Sequence, residues 1–342
     1  MNINKLQNLL QKRGEIAFRR LISQQHRGIR IHFTRELTRS EMHQELKKRL
    51  ENSRRDFSRL QNQGVLISPY LEIGAEYGLR SSLIESKFKV RGIALDIAQS
   101  SLEQVRWFAN QFKLNRIPLR VCSDAHSLPF PDDSFAFIFC YQTLHHFPNP
   151  LPVVQEIFRV LKPNGYFFFA EEPISQKFNL NLFRRPTKTT GLLKFLKIFP
   201  LLPFISKIGK TETDFGIFEG TISLKVWRQI TQLFNPVAIQ IEVFPFGYLT
   251  STLTFKEWSW QQIILDMFGG GIQALLQKEA DTNEGKFKKN HTIKFTCPDC
   301  HIVLTPKIQL QCNKCGRVFG KTHGILKLLP LDLHTSLYAK ST

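Results

Sequence analysis

The sequence predicts an α/β fold: a doubly wound, mostly parallel sheet with a helical N-terminal extension and a small C-terminal zinc ribbon. Three observations carry that expectation. Between residues 65 and 172, short apolar runs alternate with segments of helical period. Several of those runs end on carboxylates or histidines, which gathers polar chemistry along one edge of the sheet. Toward the C-terminus, two C-x-x-C pairs stand eleven residues apart.

The elements follow in order. Residues 1–63 read as polar helix, with Leu46, Leu50, Phe57 and Leu60 forming a thin apolar stripe among Lys and Arg. From Val65 the texture changes. Strands are expected at 70–73, 90–95, 119–122, 135–141 and 165–170, with helices at 79–85, 101–112 and 151–161 between them. Strands that alternate with helices make parallel βαβ units in a sheet covered on both faces. After Pro173 the rhythm breaks, and residues 173–218, rich in Phe, Leu and Pro, read as an insertion or lid on one sheet edge. A helix at 223–234 and a strand at 238–244 resume the pattern. Residues 255–278 read as helix interrupted by three glycines, and 281–291 as a polar, basic linker. The expected organisation is an extension over 1–63, a sheet domain over 64–254, a helix and linker over 255–290, and a ribbon over 291–332.

Composition sets the bounds. Of 342 residues, 42% are hydrophobic and 22% charged, which excludes a disordered chain, a collagen-like fibre and a disulfide scaffold. Phe (30) far outnumbers Trp (4) and Tyr (6), so phenylalanine supplies most of the aromatic core. The net charge is +19, but residues 61–172 are close to neutral and the surplus sits on both flanks. Basic flanks attract RNA or an anionic membrane, and a solvated helix face accounts for them as well. The most apolar stretch, 192–205, is too short to span a bilayer and contains Lys194, Lys197, Pro200 and Pro203. No transmembrane segment is expected, peripheral membrane contact at that stretch stays open, and the start of the chain lacks a signal-peptide core. A cytoplasmic location is expected.

Cys297, Cys300, Cys312 and Cys315 have the spacing of two metal knuckles. Four thiolates complete a tetrahedron with no open position, which makes a zinc there structural rather than catalytic. The apolar run between the pairs is too short for a core of its own, and metal binding worth ~10–16 kcal/mol replaces it. Two disulfides or a redox pair would use the same cysteines, but a cytoplasmic location disfavours the first and the single-pair strand–helix context of the second is absent. Cys122 and Cys140 lie in apolar runs and read as core.

In the near-neutral middle, a strand enters the turn Gly74–Ala75–Glu76–Tyr77–Gly78 and then a helix, so Gly74 and Gly78 allow a ligand close to the backbone. The second strand ends at Asp96, where a carboxylate can accept ribose hydroxyls, and the third ends near Asp124. The fourth strand runs to Tyr141 and is followed by His145 and His146. The glycine pattern is not G-x-G-x-x-G and no second mononucleotide unit follows, which argues against a dinucleotide.

These residues carry a resemblance. Residues ~65–172 resemble class I S-adenosylmethionine-dependent methyltransferases of the group that includes ubiquinone-pathway enzymes. Glu72–Gly78 is similar to that family's acidic-x-G-x-G-x-G motif, with Glu76 where the family has its middle glycine. Asp96 matches the ribose carboxylate, Asp124–Ala125 the pair beside the adenine, and 133–138 with 144–147 the fourth-strand motif. Residues 161–166 match the turn before the fifth strand. The resemblance implies a Rossmann-like, seven-stranded sheet, S-adenosylmethionine as cofactor, and a cofactor site comprising Glu72, Gly74, Glu76, Gly78, Asp96, Ile97, Asp124, Ala125 and Tyr141. The ribbon looks like the activator ribbons that accompany some methyltransferases.

Methyl transfer to a neutral acceptor needs a base, and His145 and His146 are the candidates because imidazole titrates near neutrality. The N/D-P-P-Y/F pattern of base-amine methylation is missing after the fourth strand. The expected acceptor is a small-molecule, glycan or lipid-linked hydroxyl. RNA, served by the basic flanks and ribbon, is the alternative, and a non-catalytic scaffold is a third. Oligomeric state is not legible in the sequence.

Overall fold

The computed structural model describes residues 3–26, 31–32, 36–37, 39–177, 180, 182–185, 206–208, 217–218, 220–243, 247–250, 260–279, 293–306 and 309–338. Two long helices, α1 (Ile3–His26) and α2 (Arg39–Asn62), precede the sheet. The sheet strands are β1 (Tyr70–Ile73), β2 (Gly92–Asp96), β3 (Leu119–Ser123), β4 (Phe135–Tyr141), β5 (Leu161–Ile174), β6 (Asn235–Val243), β7 (Gly247–Thr250), β8 (Gly270–Gln277), β9 (Lys321–Thr322) and β10 (Ile325–Leu328). Helices α3 (Leu79–Leu83), α4 (Gln99–Glu103), α5 (Val105–Gln111), α6 (Leu151–Val160), α7 (Leu224–Gln232), α8 (Trp260–Phe268) and α9 (Leu331–Tyr338) lie between or after them.

The ten strands order as β7-β6-β8-β5-β4-β1-β2-β3-β10-β9. β1 to β5 are mutually parallel, and β8 runs antiparallel between β5 and β6. Strands β3-β2-β1-β4-β5-β8-β6 are the expected seven-stranded, Rossmann-like sheet, extended by β7 at one edge and by β10 and β9 at the other. Strand alternation splits the core. Ile138, Phe167 and Phe169 face one apolar cluster, in which Trp227 stacks on Phe169 at 5.0 Å. Phe137, Phe139 and Phe168 face the other, closed by Phe57 and Leu60 of α2. The stripe read in 1–63 is therefore a buried helix face, and Cys122 and Cys140 are core residues.

One expectation is corrected. Residues 255–278 were expected to be helical, yet the helix ends at Phe268 and 270–277 form β8. Gly269 adopts φ +65 and its N–H bonds back to Leu265 O at 2.8 Å, a glycine helix stop. Beyond it Ile272, Ala274 and Leu276 join one apolar cluster while Leu275 joins the other, the two-faced alternation of a strand. The lid stretch 192–205, with its expected membrane contact, lies outside the described residues. No helix among the described residues is long and apolar enough to cross a membrane.

Candidate active site

The turn after β1 requires its glycine. Gly74 has φ +68, and a Cβ there would stand 2.5 Å from Thr143 Oγ1. Glu76 shares the left-handed conformation at φ 49, which explains why a glycine suits the position. The Glu76 N–H donates to Asp96 Oδ2 and the Ala98 N–H to Asp96 Oδ1, each at 2.8 Å. These bonds fix the carboxylate at the end of β2. Burial pushes the Asp96 carboxyl up to about 6, opposed by the Ala98 N–H and reinforced by the charge of Glu15. Asp124, just past β3, accepts Lys12 Nζ at 2.5 Å and pairs with His126 Nδ1 at 3.0 Å. Burial alone would raise Asp124, but His126 and Lys12 outweigh it and bring the carboxyl down to about 2.

A cavity of about 70 Å³ opens on this edge, and six of the expected residues line it: Gly74, Asp96, Ile97, Asp124, Ala125 and His146. Its other wall is α1, through Gln11, Lys12, Glu15 and Arg19. Nothing local in the sequence marks those four. The volume is small beside the ~300–1,000 Å³ of ordinary ligand pockets, because α1 packs its polar side chains onto the strand ends.

The other expected residues, His145 among them, do not line the cavity. Glu72 is buried behind the turn, where it accepts the Ser81 N–H at 3.1 Å and Oγ–H at 2.5 Å, and burial pushes its carboxyl up to about 7. Glu76 turns its carboxylate to Arg19 at 2.5 Å and Arg49 at 3.9 Å, so it docks the helical extension and leaves the hollow unplugged. Gly78, at φ +57, starts α3 against Val105. Tyr141 donates to Asp56 Oδ2 at 3.1 Å beneath the Arg80 guanidinium.

The imidazoles follow β4 in a single 3₁₀ turn, Leu144–His146, with ring centroids 4.3 Å apart. Glu172, fully buried on β5, holds that turn. It accepts the N–H groups of Thr143 (2.6 Å), Leu144 (2.9 Å) and His145 (3.2 Å), and contacts His145 Nδ1 at 2.9 Å. A carboxylate only accepts, so the proton sits on Nδ1 and Nε2 becomes the basic nitrogen. His146 Nδ1 faces Phe218 O at 3.1 Å, and burial pushes its imidazole below the ordinary value. Sequence reading missed Glu172, although it ends a strand on the same edge as Asp96 and Asp124.

The four ribbon sulfurs lie within 4.8 Å of one another, and none is in a disulfide. Short strands at 305–306, 310–311 and 318–319 surround them. The chain then enters β10, which pairs parallel with β3, and Ser123 Oγ donates to Leu328 O at 2.6 Å. Tyr338 of α9 bonds Ile97 O and accepts the Gln99 N–H. The ribbon segment thus buttresses the loops that carry Ile97 and Asp124.

The model of a family described as a methyltransferase domain matches residues 71–169. An uncharacterized methyltransferase, YcgJ of Bacillus subtilis, is 34% identical over 124 residues, covering 34% of this chain and 48% of its own. A malonyl-[acyl-carrier protein] O-methyltransferase of Halorhodospira halophila is 35% identical over 101 residues, 29% of this chain and 33% of its own. A ubiquinone biosynthesis O-methyltransferase of Vibrio cholerae is 28% identical over 131 residues, 38% of this chain and 50% of its own. The chain spans half or less of the length of these relatives. The glycine turn, Asp96, Asp124 and the two histidines all fall inside the stretch that matches the methyltransferase-domain family.

Proposed function

We propose that the chain is an S-adenosylmethionine-dependent methyltransferase acting on a hydroxyl of a small-molecule, glycan or lipid-linked acceptor. The observation that carries this reading is the meeting of Gly74, Asp96 and Asp124 at one cavity within the matched stretch. The residues suit the cofactor chemically: Gly74 lets the turn pack on Thr143 and brings backbone to the cavity wall, Asp96 is held by its neighbours with lone pairs to spare, and Glu15 Oε2 is buried without a protein partner. Room for an adenosyl group requires side chains on the α1 wall, Lys12 first among them, to swing aside. Glu72, Glu76, Gly78 and Tyr141 then act from behind the turn rather than by touching the cofactor.

When bound, S-adenosylmethionine supplies an electrophilic sulfonium methyl. With the cofactor held by Gly74, Asp96 and Asp124 and supplying the methyl group, His145 Nε2 would take the acceptor's hydroxyl proton. Glu172 keeps His145 in the basic tautomer and stabilises the imidazolium, the usual role of a buried carboxylate behind a histidine base. O-methyltransferases among the relatives support an oxygen acceptor. Lys12 and Arg19 turn inward to carboxylates, so part of the N-terminal basic charge is not offered to RNA. The cysteine cluster is proposed as a structural zinc site: four thiolates around one point fit that ion.

A labelled-methyl transfer assay on cell extract, fractionated into RNA, protein, lipid and small molecules, tests the reading. Label is expected in the lipid or small-molecule fraction. Label in RNA overturns the acceptor class, and label nowhere supports the scaffold alternative. Glu172→Gln should lower turnover ~10²–10⁴-fold with cofactor affinity little changed, as for loss of a general base.

A further inference from the structure

Helix α1 lies outside the matched stretch, yet it carries the most unusual group in the cavity. Glu15 is 8% exposed and lines the hollow. Its Oε1 accepts Arg19 Nε at 2.7 Å, while Oε2 is buried with no partner. A buried carboxylate oxygen without a donor is costly unless a ligand supplies positive charge or a hydrogen bond. Burial raises the carboxyl, but Arg19, by its charge and its hydrogen bond, outweighs the burial and holds it below the ordinary carboxylate value. Glu15 lines the same cavity as Asp96, at the end of β2, and His146, in the turn after β4. Gln11, one turn earlier on the same wall, also leaves its side-chain oxygen without a partner.

Charge points the same way. Glu15, Asp96 and Asp124 line the cavity against Lys12 and Arg19, a surplus of one negative charge. Both cations are already engaged, Lys12 by Asp124 and Arg19 by Glu15 and Glu76. The cavity is therefore set up for a cationic ligand.

We propose that Glu15 is the counter-charge for the sulfonium of S-adenosylmethionine, which makes the N-terminal helix part of the cofactor site. The proposal rests on the methyltransferase reading above. It distinguishes two ligands that differ by one charge, since S-adenosylhomocysteine has the same adenosyl and amino-acid groups but a neutral sulfur.

Calorimetric titration of the full chain with each ligand tests it. Glu15→Gln should weaken S-adenosylmethionine about tenfold and leave S-adenosylhomocysteine within about twofold, the size of one partly screened charge contact. Glu15→Asp, which keeps the charge, should restore the discrimination. Retained binding of the neutral ligand shows that the variant is folded. Equal loss of both ligands, or no loss of either, overturns the role of Glu15 and leaves the methyltransferase reading intact. A wild-type chain that binds neither ligand overturns both. If Glu15→Gln does not fold, Glu15→Asp decides: wild-type discrimination upholds the proposal, and its loss overturns it.

Discussion

Asp96 and Asp124 end neighbouring strands, yet their surroundings drive them in opposite directions. Burial raises Asp96 from the ordinary 3.8 to about 6, with the Ala98 N–H and Arg19 opposing and Glu15 adding to the rise. Between those values the folded protein holds a proton that the unfolded chain has lost, so ionising Asp96 costs stability as pH rises through about 6. Asp124, lowered to about 2, contributes stability above 3.8 that disappears as pH falls toward its folded value. Ribose hydroxyls donate to an ionised carboxylate. Cofactor affinity should therefore rise as pH increases through about 6, and Asp96→Asn should flatten that dependence in calorimetry run across the range. Both aspartates were legible from their place at strand ends. Glu172 obeys the same rule, but its neighbour Glu171 is exposed, and sequence alone does not say which of two adjacent carboxylates turns inward.

Among the elements, α1 changes the picture most. The parallel strands β1 to β5 were readable because each is an apolar run closed by a turn; β8 was misread, since a glycine stop inside an apolar stretch looks like an interruption of one helix, and β10 was read as part of the ribbon rather than of the sheet. The docking of α1 was not readable at all. Its Lys12 and Arg19 belong to a pattern that looks like a solvated basic face, and only tertiary contacts reveal that they meet Asp124 and Glu76. Glu76 gains a reason from this: it stands at a glycine-type position and anchors the extension. On the proposed reading, Lys12 engages Asp124 Oδ2 and narrows the cavity, so Lys12→Met should raise cofactor affinity severalfold. The same change removes a buried ion-pair partner and should lower Tm by roughly 4–8 °C or less in a chain of this size, read by thermal shift.

At the scale of the molecule, the sheet joins the cysteine ribbon to the site. β10 is the parallel neighbour of β3, whose last residue precedes Asp124, and Tyr338 braces the loop holding Ile97. The cysteine spacing announced the ribbon; its strand exchange with the main sheet depends on a pairing across some two hundred residues that no local pattern encodes. Elemental analysis should find one zinc per chain. Chelation should lower Tm and weaken cofactor binding together, since a bound metal worth ~10–16 kcal/mol would support the segment that backs β3. A metal-free protein with unchanged Tm and affinity would refute the structural role.

The most direct measurement is calorimetric titration of the wild-type chain and Asp96→Ala with S-adenosylmethionine. The predicted result is saturable one-to-one binding by the wild type, weakened ~10–100-fold in the variant by loss of charge-assisted hydrogen bonds worth ~1.5–3 kcal/mol. No heat and no thermal shift with the wild type, or identical binding by both proteins, would contradict an adenosyl group held at these strand ends.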